Sequence, residues 1–312
     1  MPARTSVVNL PDFQSPFGFV APLSSVSSCL RGGSSVSVRL HQLFKALFYT
    51  GPAVQSEDIL SQQPPEPDLR LNYGTDPNQF VDVRLPAGKV PHPVVFFIHG
   101  GFWRARYDLI HAGHLCHALK NAGVATWNVE YRRVGNPGGG WPGSFEDIRS
   151  AYHALIRQSK DNGAEFDLSR VCVAGHSAGA QLATCLAAHE PSVTRVLSLA
   201  GVLDLRPVWD LHLSNDAVAE FLGGSPTEVP NHYRDASPVQ LNIPRATQKI
   251  VHGTEDMDVP YEISRSYTEY KQKSGEHVEL VTLPKTGHYE LVDPTSAVWG
   301  KIQDLFLSLT AG

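Results

Sequence analysis

Gly175-His176-Ser177-Ala178-Gly179 is the stretch whose reading decides the fold. It follows the apolar run Val171-Cys172-Val173-Ala174 and precedes Gln181-Leu182-Ala183-Thr184-Cys185-Leu186-Ala187-Ala188, which reads as a helix. A strand, G-x-S-x-G and a helix in that order form a nucleophile elbow. The turn leaves no room for Cβ atoms beside the serine, so small residues flank it and Ser177 Oγ is lifted above the sheet. The helix behind it aims backbone N–H groups at negative charge forming there. A Gly/Ser turn that merely joins a strand to a helix would use the same residue types. What separates the two readings is whether chemical partners stand at the right places elsewhere in the chain.

Working outward, the first partner is His99-Gly100-Gly101-Phe102-Trp103, directly after Val94 to Ile98. That apolar run has the length and continuity of a strand buried on both faces. Acyl transfer builds negative charge on a carbonyl oxygen, and fixed donors stabilise it without reorganising. Glycines let the backbone approach closely enough to supply them. The amides of Gly101, Phe102 and Ala178 are therefore the candidate oxyanion hole, each donor contributing roughly 3 kcal/mol of barrier reduction. His99 reads as a buried hydrogen-bonding residue rather than a base.

The second partner is a late acid–base pair. Asp256 stands in His252-Gly253-Thr254-Glu255-Asp256-Met257-Asp258-Val259-Pro260, and His288 in Thr286-Gly287-His288-Tyr289, each just past a predicted strand. In this reading His288 takes the Ser177 proton and later protonates the leaving group, and Asp256 holds its tautomer. Asp258 competes for the role of acid, while Glu255 reads as a surface residue.

Around these motifs the punctuation predicts alternating elements. Strands are expected at Leu69 to Tyr73, Phe80 to Leu85, Val124 to Tyr131, Arg195 to Ala200, Lys249 to His252 and Val278 to Leu283. Helices are expected near Ile110 to Asn121, after an N-cap at Ser144, near Glu262 to Lys273 and at the C-terminus. Alternation of this kind gives an α/β fold, a mostly parallel twisted sheet with helices on both faces. Val202 to Asn242 is too long for an ordinary connection and is expected to carry short helices over the site, as a cap-like insertion around 202–242.

The first 60 residues differ from the rest: Arg4, Arg31, Arg39 and Lys45 face a single acid, Asp12, before Glu57, and serine is dense from Ser24 to Ser37. An N-terminal extension of residues 1–60 that is disordered, a targeting segment or a lid fits this bias. Val38 to Tyr49 reads as a short helix, and Pro64-Pro65-Glu66-Pro67 as a linker to a catalytic domain over 61–312. A net charge of −5 excludes a basic nucleic-acid footprint, and the chain lacks the run of roughly 18 apolar residues that a membrane span needs. The four cysteines, Cys29, Cys116, Cys172 and Cys185, show no C-x-x-C spacing, which points to a reduced, cytoplasmic protein. Homo-oligomerisation is compatible with the sequence.

From about Leu69 onward the chain resembles the α/β-hydrolase superfamily, in which the order Ser, Asp, His is the characteristic one. Gly253 to Pro260 carries the G-x-x-D-x-x-V-P pattern of its esterases, with the aspartate at Asp256. His99 to Trp103 is similar to the H-G-G-x-W motif of kynurenine formamidases, and to the H-G-G-G of hormone-sensitive-lipase-like esterases with Phe102 in place of the third glycine. Glu130-Tyr131-Arg132 resembles their D-Y-R, a loop brace. The resemblance implies a serine carboxylesterase for small, uncharged esters, without metal or cofactor. It leaves open an arylformamidase, and a binding protein of the same fold that has lost catalysis.

Two clusters remain. His111, His114 and His117 recur every three residues, a spacing that drifts around a helix, and they read as ordinary surface histidines rather than a metal site. Trp103, Trp141, Trp209 and Tyr289 stand in loops near the site, and Trp103, Trp141 and Tyr289 are the candidate substrate contacts.

Overall fold

The computed structural model describes residues 57–161 and 165–312. The N-terminal extension up to residue 56, with the Val38 to Tyr49 helix and Cys29, lies outside the described residues. Eight strands form one sheet: β1 (Leu69–Asn72), β2 (Phe80–Arg84), β3 (His92–Ile98), β4 (Ala125–Val129), β5 (Phe166–His176), β6 (Arg195–Leu199), β7 (Thr247–Gly253) and β8 (Val278–Leu283). Their order is β1-β2-β4-β3-β5-β6-β7-β8. β1 and β2 pair antiparallel with their neighbours and every other pairing is parallel. This is the α/β-hydrolase architecture.

β3 shows why the sheet is covered on both sides. Its side chains alternate faces, and Val94, Phe96 and Ile98 join one core cluster while Val95 and Phe97 join the other. Phe96 meets Tyr152 of α2 (Gly143–Asp161) edge-on at 5.6 Å. Phe97 meets Phe306 of α8 (Trp299–Thr310) at 6.4 Å on the opposite face. Each buried aromatic ring of this kind contributes roughly 1.5–3 kcal/mol. A strand buried on both faces has no polar alternation, which accounts for the continuous apolar run.

The strand order places the site. The chain leaves β3 for β4 on one side and returns to β5 on the other, so the loops after β3 and β5 diverge from adjacent strands. Ligands bind at such a switch point in open α/β sheets. Ile98 and Gly175 are paired in register there, so both loops start at the same level. α3 (Ala178–His189) then runs behind β5.

The 202–242 stretch carries α4 (Leu205–Asp210), α5 (Ala217–Leu222) and α6 (Pro230–Ala236). Leu205, Val208, Phe221 and Tyr233 tie these helices into the core. Arg104, in the loop after β3, pins the stretch through Glu220 Oε2 at 2.8 Å, Ser214 Oγ at 3.1 Å and the Asn215 carbonyl at 3.0 Å.

Three local expectations need correction. Pro64 to Pro67 does not stand off as a linker: Pro65 O accepts from Arg84 Nη2 at 2.7 Å, and Pro64 lies against Gly113, the first residue of α1 (Gly113–Asn121). Ile59 is buried in the core, so the folded domain begins before residue 61. Ser144 lies inside α2 rather than capping it. Its Oγ accepts from Gly140 N–H at 3.1 Å and donates to Arg132 O at 2.6 Å, pinning the Gly/Pro-rich loop. Among the described residues, no helix is long and apolar enough to cross a membrane.

The tightest packing is at the elbow. A Cβ on Gly179 would lie 2.1 Å from Ile98 O and 2.4 Å from His99 O, both rigid backbone. Gly179→Ala is therefore expected to destabilise by about 3 kcal/mol in denaturant unfolding. Gly300→Ala, where an added Cβ meets nothing within 4 Å, should stay within about 0.5 kcal/mol. Equal midpoints for the two variants would refute this packing.

Candidate active site

Ser177 is buried and sits at φ 56°, ψ −122°, outside the ordinary regions for an L-residue. Such a conformation costs of order 1–3 kcal/mol and persists only where the surroundings enforce it. Here the Ser177 N–H donates to Leu199 O at 2.8 Å, and its carbonyl accepts from Ala180 N–H at 3.1 Å. Ala178 is the first residue of α3, so its N–H has no acceptor within the helix.

The loop after β3 is also held in positive-φ geometry: Gly101 at 106°, Phe102 at 47° and Trp103 at 55°. A Cβ on Gly101 would fall 2.4 Å from Tyr107 Cβ, so only glycine fits. What holds the two bulky residues is Trp103. Its indole N–H donates to Gln181 Oε1 on α3 at 2.9 Å, and its ring stacks on Phe221 at 4.4 Å. Val134 N–H donates to Trp103 O at 2.8 Å. Below the loop His99 is fully buried, with Nδ1 on Gly100 O at 2.8 Å and Nε2 on Glu130 Oε1 at 3.2 Å. Glu130 also accepts from the Leu109 and Tyr131 amides. Arg132 pairs with Asp147 at 2.6 Å.

These contacts correct two of the expected substrate positions. Trp103 is buried at 0% exposure and is an anchor of the loop, not a wall of the site. Trp141 stacks on Phe145 at 5.2 Å and meets Phe221 at 6.1 Å, within the packing under the insertion. A cavity of about 160 Å³ is lined by Ser177, His288, Gly101, Phe102 and Tyr289, so Tyr289 is the expected contact that the structure brings to the site. A cavity near 150 Å³ holds a benzene-sized guest.

Asp256 and His288 meet at the C-terminal ends of β7 and β8. His288 Nδ1 lies 2.6 Å from Asp256 Oδ2. Asp256 is fixed by more donors: His252 Nε2 reaches the same oxygen at 3.1 Å, and the Asp258 and Val259 amides reach Oδ1 at 2.9 and 2.8 Å. Burial opposes its ionisation, but the charge and hydrogen bonds of His288 and His252 win, and its pKa falls far below the carboxylate range. Burial likewise opposes protonation of His288, yet Asp256, by charge and hydrogen bond, with Asp258 and Glu290, raises its pKa above the imidazole value. Asp258, the alternative acid, has no bond to His288; its Oδ2 is buried and unpartnered.

At His111 and the buried cysteines, burial prevails instead. His111 is buried beside the His99 and His176 rings, and desolvation pushes its pKa down to about 3. His114 faces Gln62 O at 3.4 Å, so the three-residue histidine series is split between core and surface. Cys116 and Cys172 are buried, which pushes their pKa values up to about 11 and 12. Asp256, Asp258 and His288 offer atoms within 4.8 Å of one another. Both Asp256 oxygens already accept two donors each, so the arrangement fits a hydrogen-bonded pair rather than a cation cage.

Gln181, His252 and Arg104 have structural roles at the site that sequence reasoning missed. The spacing of His252 to Asp256 was visible. Gln181 shows in sequence only as a polar residue within an apolar helix run.

A family model described as BD-FAE matches residues 81–270. A probable isoprenylcysteine α-carbonyl methylesterase from Arabidopsis thaliana is 24% identical, over 75% of this chain and 53% of its own length, so the chain spans about half the length of that relative. Among solved structures, a truncated carbohydrate esterase from gut microbiota superposes with TM-score 0.68 at 20% identity, over 80% of this chain and 99% of the other. A bacterial heroin esterase superposes with TM-score 0.65 at 21% identity, over 89% and 93%. The esterase LipW from Mycobacterium marinum superposes with TM-score 0.61 at 24% identity, over 78% and 80%. At these identities the structures speak to the fold.

The charges around His288 make a direct prediction. With a raised pKa, its protonated form persists above pH 6.5 and the neutral ring dominates only at higher pH. An NMR titration of the His288 ring should show a midpoint above about 6.5, and Asp256→Asn should lower it. A midpoint that is unmoved in Asp256→Asn would contradict the coupling.

Proposed function

The chain belongs to the BD-FAE family, and on that premise we propose that it is a serine carboxylesterase for short-chain acyl esters. One observation carries the reading: His288, bonded through Nδ1 to the buried Asp256 carboxylate, faces the same cavity as the strained Ser177.

In the proposed reaction Ser177 Oγ attacks the ester carbonyl carbon while His288 Nε2 takes its proton. The carbonyl oxygen becomes an oxyanion that accepts from the amides of Gly101, Phe102 and Ala178. Collapse expels the alcohol, which receives the proton from His288, and leaves an acyl group on Ser177. Water, deprotonated by the same ring, then releases the acid and restores Ser177. Asp256 stays ionised throughout, holding Nδ1–H and stabilising the imidazolium. These steps use side chains and amides alone. We assign catalysis to the folded α/β-hydrolase domain, with 202–242 as its cap, and place it in the cytoplasm, in keeping with the free, buried Cys116, Cys172 and Cys185.

Phe102 sets the expected chain length. Phe102 is among the residues that line the cavity with Ser177, its ring is edge-on to Trp103 at 6.3 Å, and we infer that it narrows the acyl side next to the hole. Each methylene that fits adds about 0.8 kcal/mol of binding, and a narrow acyl side forfeits this gain. A formyl group also fits, and with His99-Gly100-Gly101-Phe102-Trp103 it favours arylformamidase as the second reading.

The test is a parallel assay of p-nitrophenyl acetate, butyrate and octanoate with N-formylkynurenine. kcat/KM should peak at the short esters, fall at octanoate, and vanish to background in Ser177→Ala. Phe102→Gly should shift the peak to longer chains. Higher kcat/KM for N-formylkynurenine than for every ester would move the assignment to arylformamidase. A folded wild-type protein that turns over none of them would leave a silent binding protein.

A further inference from the structure

Asp256 Oδ2 has a second imidazole besides that of His288. His252, the last residue but one of β7, is fully buried, and its Nε2 lies 3.1 Å from this oxygen. His288 Nδ1 reaches the same oxygen at 2.6 Å. His252 Nε2 is also 2.9 Å from Val259 O. Both neighbours are acceptors, so Nε2 carries a proton that is held between them. On the other edge of the ring, Nδ1 lies 2.7 Å from Ser264 Oγ on α7 (Tyr261–Lys273), and Ser264 is fully buried too. Among the described residues that hydroxyl bonds to no other group, so its hydrogen is available to Nδ1.

The ring acts as a strut across the loop that carries the acid. β7 ends at Gly253 and α7 begins at Tyr261, with Asp256 between them. His252 bonds to the loop near its end, at Val259, and to the helix beyond it, at Ser264. Tyr261 meets the ring edge-on at 5.9 Å and limits its rotation. Asp256 Oδ1 is anchored separately, by the Asp258 and Val259 amides. Removing the His252 proton therefore leaves the Oδ1 side of the carboxylate in place. What it takes away is one of the two donors on Oδ2, the oxygen that orients His288.

Resting on the serine-esterase reading, we propose that His252 and Ser264 are positioning residues for the reaction. Ser264 donates to Nδ1 and fixes His252 as the Nε2–H tautomer; that N–H holds Asp256 Oδ2 where it meets His288 Nδ1–H. No proton passes along this outer half of the relay. Neither residue belongs to the cavity lining, so the effect falls on kcat rather than KM.

A pair of variants of equal side-chain length tests this. Glutamine keeps a donor at the reach of Nε2, and methionine fills the same length without one. His252→Met should lose about tenfold in kcat on p-nitrophenyl acetate with KM little changed, as expected for a hydrogen bond to a charged group. His252→Gln should recover most of that loss. The low-field Nδ1–H proton resonance of His288 should move in His252→Met and return toward its wild-type position in His252→Gln. In ¹⁵N-histidine spectra of the wild-type protein, His252 should carry its proton on Nε2 alone, and Ser264→Ala should admit the Nδ1–H form. Equal losses in the two His252 variants would make the residue a space-filler and overturn the proposal. So would wild-type kcat in His252→Met, a wild-type His252 ring protonated on Nδ1, or an unchanged tautomer in Ser264→Ala. Should His252→Met fail to fold, the tautomer in wild type and in Ser264→Ala decides alone. A wild-type protein that turns over no ester would sink the esterase reading, while the His252 and His288 resonances still decide the positioning.

Discussion

The approach of α3 to the end of β3 is the constraint on which the rest of the site depends. Gly179 lies so close to the Ile98 and His99 carbonyls that no side chain fits between them. Gly175 is equally hemmed in by Gly179 itself, where an added Cβ would meet backbone at 2.4 Å. With these contacts closed, the strand-to-helix turn has one conformation, and Ser177 takes its unfavourable φ within it. The same contact brings the first amide of α3 beside the glycine loop that leaves β3. Ser177, the candidate nucleophile, and the candidate donors are thus fixed by one piece of backbone packing.

A second layer of contacts stiffens this frame. Trp103 is held to α3 by Gln181 and to the insertion by Phe221, so the loop, the elbow helix and the insertion share a single anchor. Asp256 receives four donors, two from side chains and two from amides, so its carboxylate neither rotates nor protonates at ordinary pH. Preorganisation of this kind lowers a barrier because nothing has to move when charge develops. Asp258 is the exception in this layer: its amide is used, and one of its carboxylate oxygens is not.

Much of the fold was legible because its signals are steric and local. Val94 to Ile98 must be a doubly buried strand, and Gly175 to Gly179 must turn sharply. That the sheet is mostly parallel followed from alternation and from the resemblance, whereas the strand order that sets the β3/β5 switch came from the structure alone. The loop aromatics were not legible in this way. Trp103 and Trp141 stand in the expected loops, but whether an indole faces a guest or a neighbour depends on Phe221, over a hundred residues from Trp103 in the chain. The same holds for Gln181, whose partners Trp103 and Ala236 come from two other segments. Ser144 shows the limit for caps: the residue type was right for a helix start, but the hydroxyl is drawn to Arg132 O instead.

The central claim is that Ser177 is the nucleophile activated by His288. Treatment of the folded protein with a fluorophosphonate, followed by intact-mass and peptide mapping, tests it most directly. The expected result is one phosphonyl adduct per chain, carried by Ser177, with loss of ester turnover in step with labelling and no adduct in Ser177→Ala. A folded protein that hydrolyses esters while Ser177 stays unmodified, or a Ser177→Ala variant that keeps most of its turnover, would contradict it.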